Sequence, residues 1–230
     1  FPEEFNRQVA SKVTRWHFAP TELSRENLLA EGVPASAITV TGNTVIDALH
    51  WILARIDADT ARQATLTEAL QAVLPFAWQH QPFILITGHR RENFGDGFVQ
   101  ICEALRILAL RFIDVHFVYP VHLNPNVQQP VLSLLAGLQN MHLIAPLDYE
   151  PFVYLLKHEH LVLTDSGGIQ EEAPSLGKPV LVMRDVTERP EAVQAGTVEL
   201  VGADKARIIA GVARLLENEA HYQAMSRAHN

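Results

Sequence analysis

The sequence predicts an α/β fold: a parallel sheet with helices on both faces, of Rossmann-like type. Two observations carry this. Strand-like apolar segments alternate with helical periodicity along most of the 230 residues. The strands at 83–87, 161–164 and 180–182 are also apolar almost throughout, as strands buried on both faces are. A third observation places the ligand. In residues 161–189 a buried strand breaks at Asp165-Ser166-Gly167-Gly168, a helix starts at Ile169, and Gly177-Lys178-Pro179 stops it before the next strand.

Taken in order, residues 3–14 form a helix with Phe5, Val9 and Val13 on one stripe. A short strand follows at 16–19, then a helix at 21–30 stopped by Gly32, and a strand at 38–41. An amphipathic helix covers 44–56, and the polar, helical stretch 57–81, punctuated by Pro75 and Pro82, reads as a bridge. Strands at 83–87, 115–121, 142–144, 161–164, 180–182 and 197–201 then alternate with helices at 98–112, 127–138, 151–156 and from 169. Helices at 204–216 and 219–228 close the chain, without a capping residue at its end.

Composition removes several classes. Hydrophobic residues make up 48% and charged residues 19%, ordinary for a globular protein. No apolar run approaches the roughly 18 residues that span a membrane. A net charge of −8, with no basic stripe, argues against nucleic acid as a partner. The single cysteine, Cys102, sits in an apolar helical run; it reads as a core thiol and favours a cytoplasmic setting. The 11 histidines are scattered without metal-ligand spacing, so no metal is expected. His158 and His160, flanking Glu159, read as surface residues. The start Phe1-Pro2-Glu3-Glu4 lacks Met, and a fragment is the expectation.

In parallel sheets ligands sit in the loops at the carboxyl ends of the strands. That rule gathers His89, Arg90 and Arg91, then His122 and Asn124, then Tyr149 and Phe152, then Ser166 to Gly168 with Glu172, and Arg184 to Arg189 on one rim. Glycines in a turn that opens a helix let backbone N–H groups approach a phosphate, and the helix dipole favours the anion. Ser166 adds a hydroxyl. Glu172 carries the charge of a phosphate and suits a ribose diol instead. His89 and the arginines beside it suit a diphosphate, the competing reading being a solvated turn. His122 is equally a ligand or a loop histidine satisfied by backbone. Phe152 or Tyr149 could stack on a base, although a helical Phe is more often core. Glu3 and Glu4 alone read as a solvated helix start.

The motifs G-H-R-R-E-N from Gly88, Y-P-V-H-L-N-P-N-V from Tyr119 and D-S-G-G-I-Q-E-E-A-P-S-L-G-K-P from Asp165 together resemble the non-hydrolysing UDP-N-acetylglucosamine 2-epimerases of bacteria. P-E-E-x-N-R, H-F-A-P-T and T-G-N-T-V-I-D-A-L fit as well, so the resemblance covers almost the whole chain.

That resemblance implies two Rossmann-like domains in the GT-B arrangement of nucleotide-sugar glycosyltransferases. Residues 1–42 would end the amino-terminal domain, and 43–230 would form the UDP-binding carboxy-terminal one, without the family's last helix in full. Most of the first domain, with a catalytic Asp and a catalytic Glu, would lie outside the chain. The implied reaction interconverts UDP-N-acetylglucosamine and UDP-N-acetylmannosamine for surface polysaccharide, with no cofactor and no metal. UDP is eliminated across C1–C2 and added back with the proton on the other face. By matching motifs, Glu3 and His89 are catalytic, Ser166, Gly167 and Gly168 hold the phosphates, Glu172 the ribose, Arg189 the nucleotide-sugar, and Phe152 lies beside uracil. Arg90 and His122 match a regulatory site for a second substrate molecule. Leu147 departs from relatives with a polar residue there, which leaves backbone contacts to uracil intact but not side-chain ones. A cytoplasmic homodimer is implied. A GT-B glycosyltransferase, a hydrolysing epimerase and a non-catalytic UDP-sugar sensor are the alternatives.

Overall fold

The computed structural model describes residues 2–228; Phe1, His229 and Asn230, and the expectations for the two chain ends that include them, lie outside the described residues. The chain divides into two compact units, residues 1–50 and 51–230. In the first, helix α1 (Pro2–Val13) is followed by a two-stranded parallel sheet of β1 (His17–Ala19) and β2 (Ile38–Val40), joined through α2 (Glu22–Ala30). Thr21 caps α2, its hydroxyl accepting from Ser24 N at 3.1 Å. Arg7 ties α1 to α2, its guanidinium donating to both Glu4 and Glu31. Helix α3 (Thr44–Asp57) carries the chain across the boundary between the units.

The second unit opens with α4 (Thr60–Gln71), capped by Asp59, whose carboxylate accepts from Ala61 N and Arg62 N. A six-stranded sheet follows: β3 (Phe83–Thr87), β4 (His116–Pro120), β5 (Met141–Ile144), β6 (Leu161–Thr164), β7 (Val180–Val182) and β8 (Val198–Leu200). The order is β5-β4-β3-β6-β7-β8 and every pairing is parallel. Its helices are α5 (Asp96–Arg111), α6 (Pro125–Leu135), α7 (Tyr149–His158), α8 (Ile169–Ser175), α9 (Pro190–Ala195), α10 (Lys205–Glu217) and α11 (Glu219–Arg227).

Side chains alternate across the pleat, so β3 sends Ile84 and Ile86 to one face and Phe83 and Leu85 to the other. All four are fully buried, which requires cover on both faces. On the first face α5 presents Phe98, Ile101, Cys102, Leu105 and Leu108 at helical spacing and packs against α6 and α10. Truncating Phe98 or Leu105 to Ala in this core is worth about 2–5 kcal/mol. On the other face Phe76 meets Phe83 edge-on at 6.0 Å. The expected bridge 57–81 is therefore part of the core: Leu66, Leu70, Leu74, Phe76 and Trp78 are all buried.

Helix α9 escapes the sequence pattern, being six residues long with Pro190 at its first position. Helix α6 begins two residues earlier than its periodicity suggests, because Asn124 caps it and Pro125 fits the first turn. The strand order reverses direction between β3 and β6, which run side by side in the middle of the sheet. At such a switch point the loops leaving the two strands turn to opposite sides and open a crevice at their carboxyl ends.

Candidate functional site

The crevice is present. A cleft of about 210 Å³ lies at the carboxyl ends of β3, β4, β5 and β6. It is lined by Gly88, His89, His122, Leu147, Phe152 and Ser166, with Thr87, Pro120, Pro146 and Ile169 completing the wall.

Asp165, directly after β6, organises the turn after β3. It is fully buried, and its Oδ2 accepts from His89 N at 2.9 Å, Arg90 N at 2.8 Å and Asn93 Nδ2 at 3.4 Å. Asn93, also buried, donates to Met183 O as well. The Tyr119 hydroxyl donates to Gly88 O at 3.0 Å, and burial pushes its pKa well up, so it stays a donor. A Cβ on Gly88 would lie 3.2 Å from both that hydroxyl and Met183 Cε, so glycine is required by close approach.

His89 is held at the mouth of the cleft. Its Nδ1 lies 3.8 Å from Asp165 Oδ1, and its ring stacks on His122 at 5.1 Å between centroids and 12° between planes. His122 Nδ1 accepts from Asn124 N, so this histidine is both satisfied by backbone and part of the cleft wall. A Cβ on Gly167 would lie 3.7 Å from Arg90 Nη2, so the Arg90 guanidinium reaches across to the glycine turn. Ser166 N donates to Thr164 Oγ1, and Thr164 is itself hydrogen-bonded to Thr87 across the two central strands. Helix α8 is only seven residues long and carries Glu171 and Glu172 in its first turn. The positive charge beside Ser166-Gly167-Gly168 therefore comes chiefly from Arg90.

Glu172 is buried, and desolvation raises its pKa against the opposing Tyr149 hydrogen bond. The Tyr149 hydroxyl donates to Glu172 Oε1 at 3.1 Å, which leaves Oε2 as the second acceptor. Phe152 lines the cleft, whereas Tyr149 is occupied with Glu172. Arg184 is buried and donates to Glu188 and to Glu92, and the Glu188 carboxyl is in turn held down to about 2 by the guanidinium. Its charge is spent within the protein rather than offered to the rim. Arg189 is paired with Glu171, so any anion recruiting it competes with that carboxylate.

Glu3 lies in the first turn of α1, exposed, in the other unit. His158 and His160 correct an expectation, for both are partly buried. His158 Nδ1 sits 2.8 Å from Tyr154 O, and the His160 ring stacks on Tyr222 at 4.2 Å. Desolvation holds both imidazoles below their usual pKa. Among the described residues no group of three or more metal-ligating side chains comes together. No described helix is long and apolar enough to cross a membrane. Asp165 and Asn93 carry no motif of their own that marks them as site residues. The signal for Asp165 was its place, a carboxylate at the exit of a fully apolar strand beside a glycine turn.

The family model for UDP-N-acetylglucosamine 2-epimerase matches residues 1–230. The chain belongs to the UDP-N-acetylglucosamine 2-epimerase family. It is 57% identical over all 230 residues to the UDP-N-acetylglucosamine 2-epimerases of Salmonella typhimurium and Escherichia coli K12, and spans 60% of each. A crystal structure of the Neisseria meningitidis enzyme bound to UDP-GlcNAc matches the whole chain with a TM-score of 0.91 at 49% identity, over 61% of its own length. A Staphylococcus aureus MnaA–UDP structure matches at 0.87 and 40%, again over the whole chain and 60% of its partner. The wall teichoic acid polymerase TagF shares the fold alone, at 0.56 and 14%. These neighbours agree with a Rossmann-like half of the GT-B architecture.

Proposed function

We propose that this chain forms the UDP-binding part of an enzyme that reversibly epimerises UDP-N-acetylglucosamine at C2 to UDP-N-acetylmannosamine. The observation that carries the reading is that His89 and Ser166 line one cleft at the switch point of the sheet, with the Arg90 guanidinium beside the glycine turn that follows Ser166. The diphosphate would lie between the glycine turn and His89, with backbone N–H groups and cationic donors around its oxygens. Glu172, with one oxygen held by Tyr149, would accept from the ribose hydroxyls. Phe152 would flank the uracil, and Arg189 would reach the nucleotide-sugar.

The chemistry follows from leaving-group charge. A carboxylate takes the C2 proton, the C1–O bond breaks with its electron pair passing to UDP, and a C1=C2 double bond remains in the sugar. Return of UDP to C1 and of a proton to the opposite face of C2 gives the epimer. Donors on the departing diphosphate lower both barriers. Glu3 is the carboxylate assigned from this chain, and His89 the proton carrier nearest the diphosphate. A second UDP-N-acetylglucosamine bound through Arg90 and His122 would act as an activator. The reading extends to a cytoplasmic homodimer producing units for surface polysaccharide.

Calorimetry on this chain with UDP and with uridine tests the binding half of the reading. UDP should bind at one site, and uridine about 10–100-fold more weakly, the equivalent of one or two lost charge-assisted hydrogen bonds. Equal affinities would remove the diphosphate assignment.

A further inference from the structure

A carboxylate with no exposed surface is costly unless something pays its desolvation. Asp165 meets this description, at 0% exposure, at the carboxyl end of the central strand β6. Its two oxygens are treated differently. Oδ2 accepts three N–H groups, those of His89, Arg90 and Asn93. Oδ1 accepts no hydrogen bond among the described residues, and the His89 ring nitrogen Nδ1 lies 3.8 Å away. The other groups around it do not compete for Oδ1. The Tyr119 hydroxyl is committed to Gly88 O, and the Arg90 guanidinium is turned toward Gly167. On its other side the His89 ring is stacked against His122, which restricts rotation about its side-chain bonds.

We propose that Asp165 is the positioning residue of His89: it anchors the turn through two backbone amides and keeps the imidazole proton on Nδ1. The inference rests on the functional reading above, in which His89 serves the diphosphate. A carboxylate oxygen beside Nδ1 favours the tautomer that carries its proton there, because that nitrogen then becomes a donor toward the anion. Nε2, at the opposite edge of the ring, is left as the nitrogen that exchanges a proton with the cleft. Asp165 touches no substrate in this scheme; it fixes which nitrogen of His89 works.

The test is two-bond ¹H–¹⁵N correlation spectroscopy of the histidine-labelled chain, at a pH where His89 is neutral, with and without UDP. The expected spectrum of the unaltered chain shows His89 protonated at Nδ1, and Asp165→Asn shifts it toward the Nε2–H form that an unconstrained histidine side chain prefers. A His89 protonated at Nε2 in the unaltered chain overturns the proposal without recourse to any variant. So does an unchanged Nδ1–H tautomer in a folded Asp165→Asn protein, which would reduce Asp165 to a structural anchor. In the polypeptide extended to the full length of its relatives, Asp165→Asn should lower kcat about 100-fold with KM within a factor of three. A rise in KM at constant kcat would contradict it. UDP titrated into the same sample separates the two readings: failure to bind UDP removes the proposed function, while the tautomer still reports on Asp165.

Discussion

Strand β6 has a buried carboxylate at each end, and the two are handled in opposite ways. Glu159, just before the strand, is 1% exposed, and neither of its oxygens accepts a hydrogen bond among the described residues. Desolvation drives its pKa far above the usual carboxylate range, and Lys178, which donates to the Glu159 backbone carbonyl instead, offsets this only in part. Asp165, just after the strand, receives three N–H donors and faces a histidine. The carboxyl end of the sheet thus spends backbone donors on holding a carboxylate in place, as a site must. The amino end simply buries a carboxyl group. The difference teaches that burial alone does not mark function, whereas donors converging from a distant loop do.

The largest effect expected at the carboxyl end is for His89→Ala. In the polypeptide extended to the full length of its relatives, turnover should fall about 100–10,000-fold, while UDP affinity stays within a few-fold. Unchanged turnover would break the contrast between the two ends. At the amino end, Glu159→Gln probes the cost of burial. A folded-state pKa raised above the unfolded one means that the native protein holds a proton the unfolded chain has released. Stability from that proton is present at pH values below the ordinary carboxylate range and is lost as pH rises above it. Glu159→Gln should therefore raise the thermal midpoint at pH 8 and leave it nearly unchanged near pH 4. Equal shifts at both pH values would show that Glu159 is ionised in place. Tyr149→Phe, the mildest change, removes the donor to Glu172 and should weaken UDP binding about 2–10-fold, matching one hydrogen bond of about 0.5–1.5 kcal/mol. No loss on calorimetry would show that Glu172 holds its own position.

The sheet was legible because β3, β6 and β7 are apolar at nearly every residue, and the rim followed from the rule that sites sit at carboxyl ends. His89, His122, Phe152 and Ser166 come to one cleft as that rule expects. Pairwise contacts across sequence were not legible. Asp165 and the amides of His89 and Arg90 are separated by 76 and 75 residues, so its place at the exit of an apolar strand marks a position but not the partners it holds. Arg184 looked available for the same reason, since Glu92 lies 92 residues away. The core role of Trp78 was hidden by the polar helix that precedes it.

If the cleft serves chemistry at C2 of the sugar, the C2 proton must exchange with solvent during turnover. Proton NMR of UDP-N-acetylglucosamine in heavy water, with the polypeptide extended to the full length of its relatives, tests it most directly. Deuterium at C2 together with growing signals of UDP-N-acetylmannosamine is the expected result. Substrate that binds and keeps its C2 proton, or exchange that ends in free N-acetylmannosamine, would contradict it.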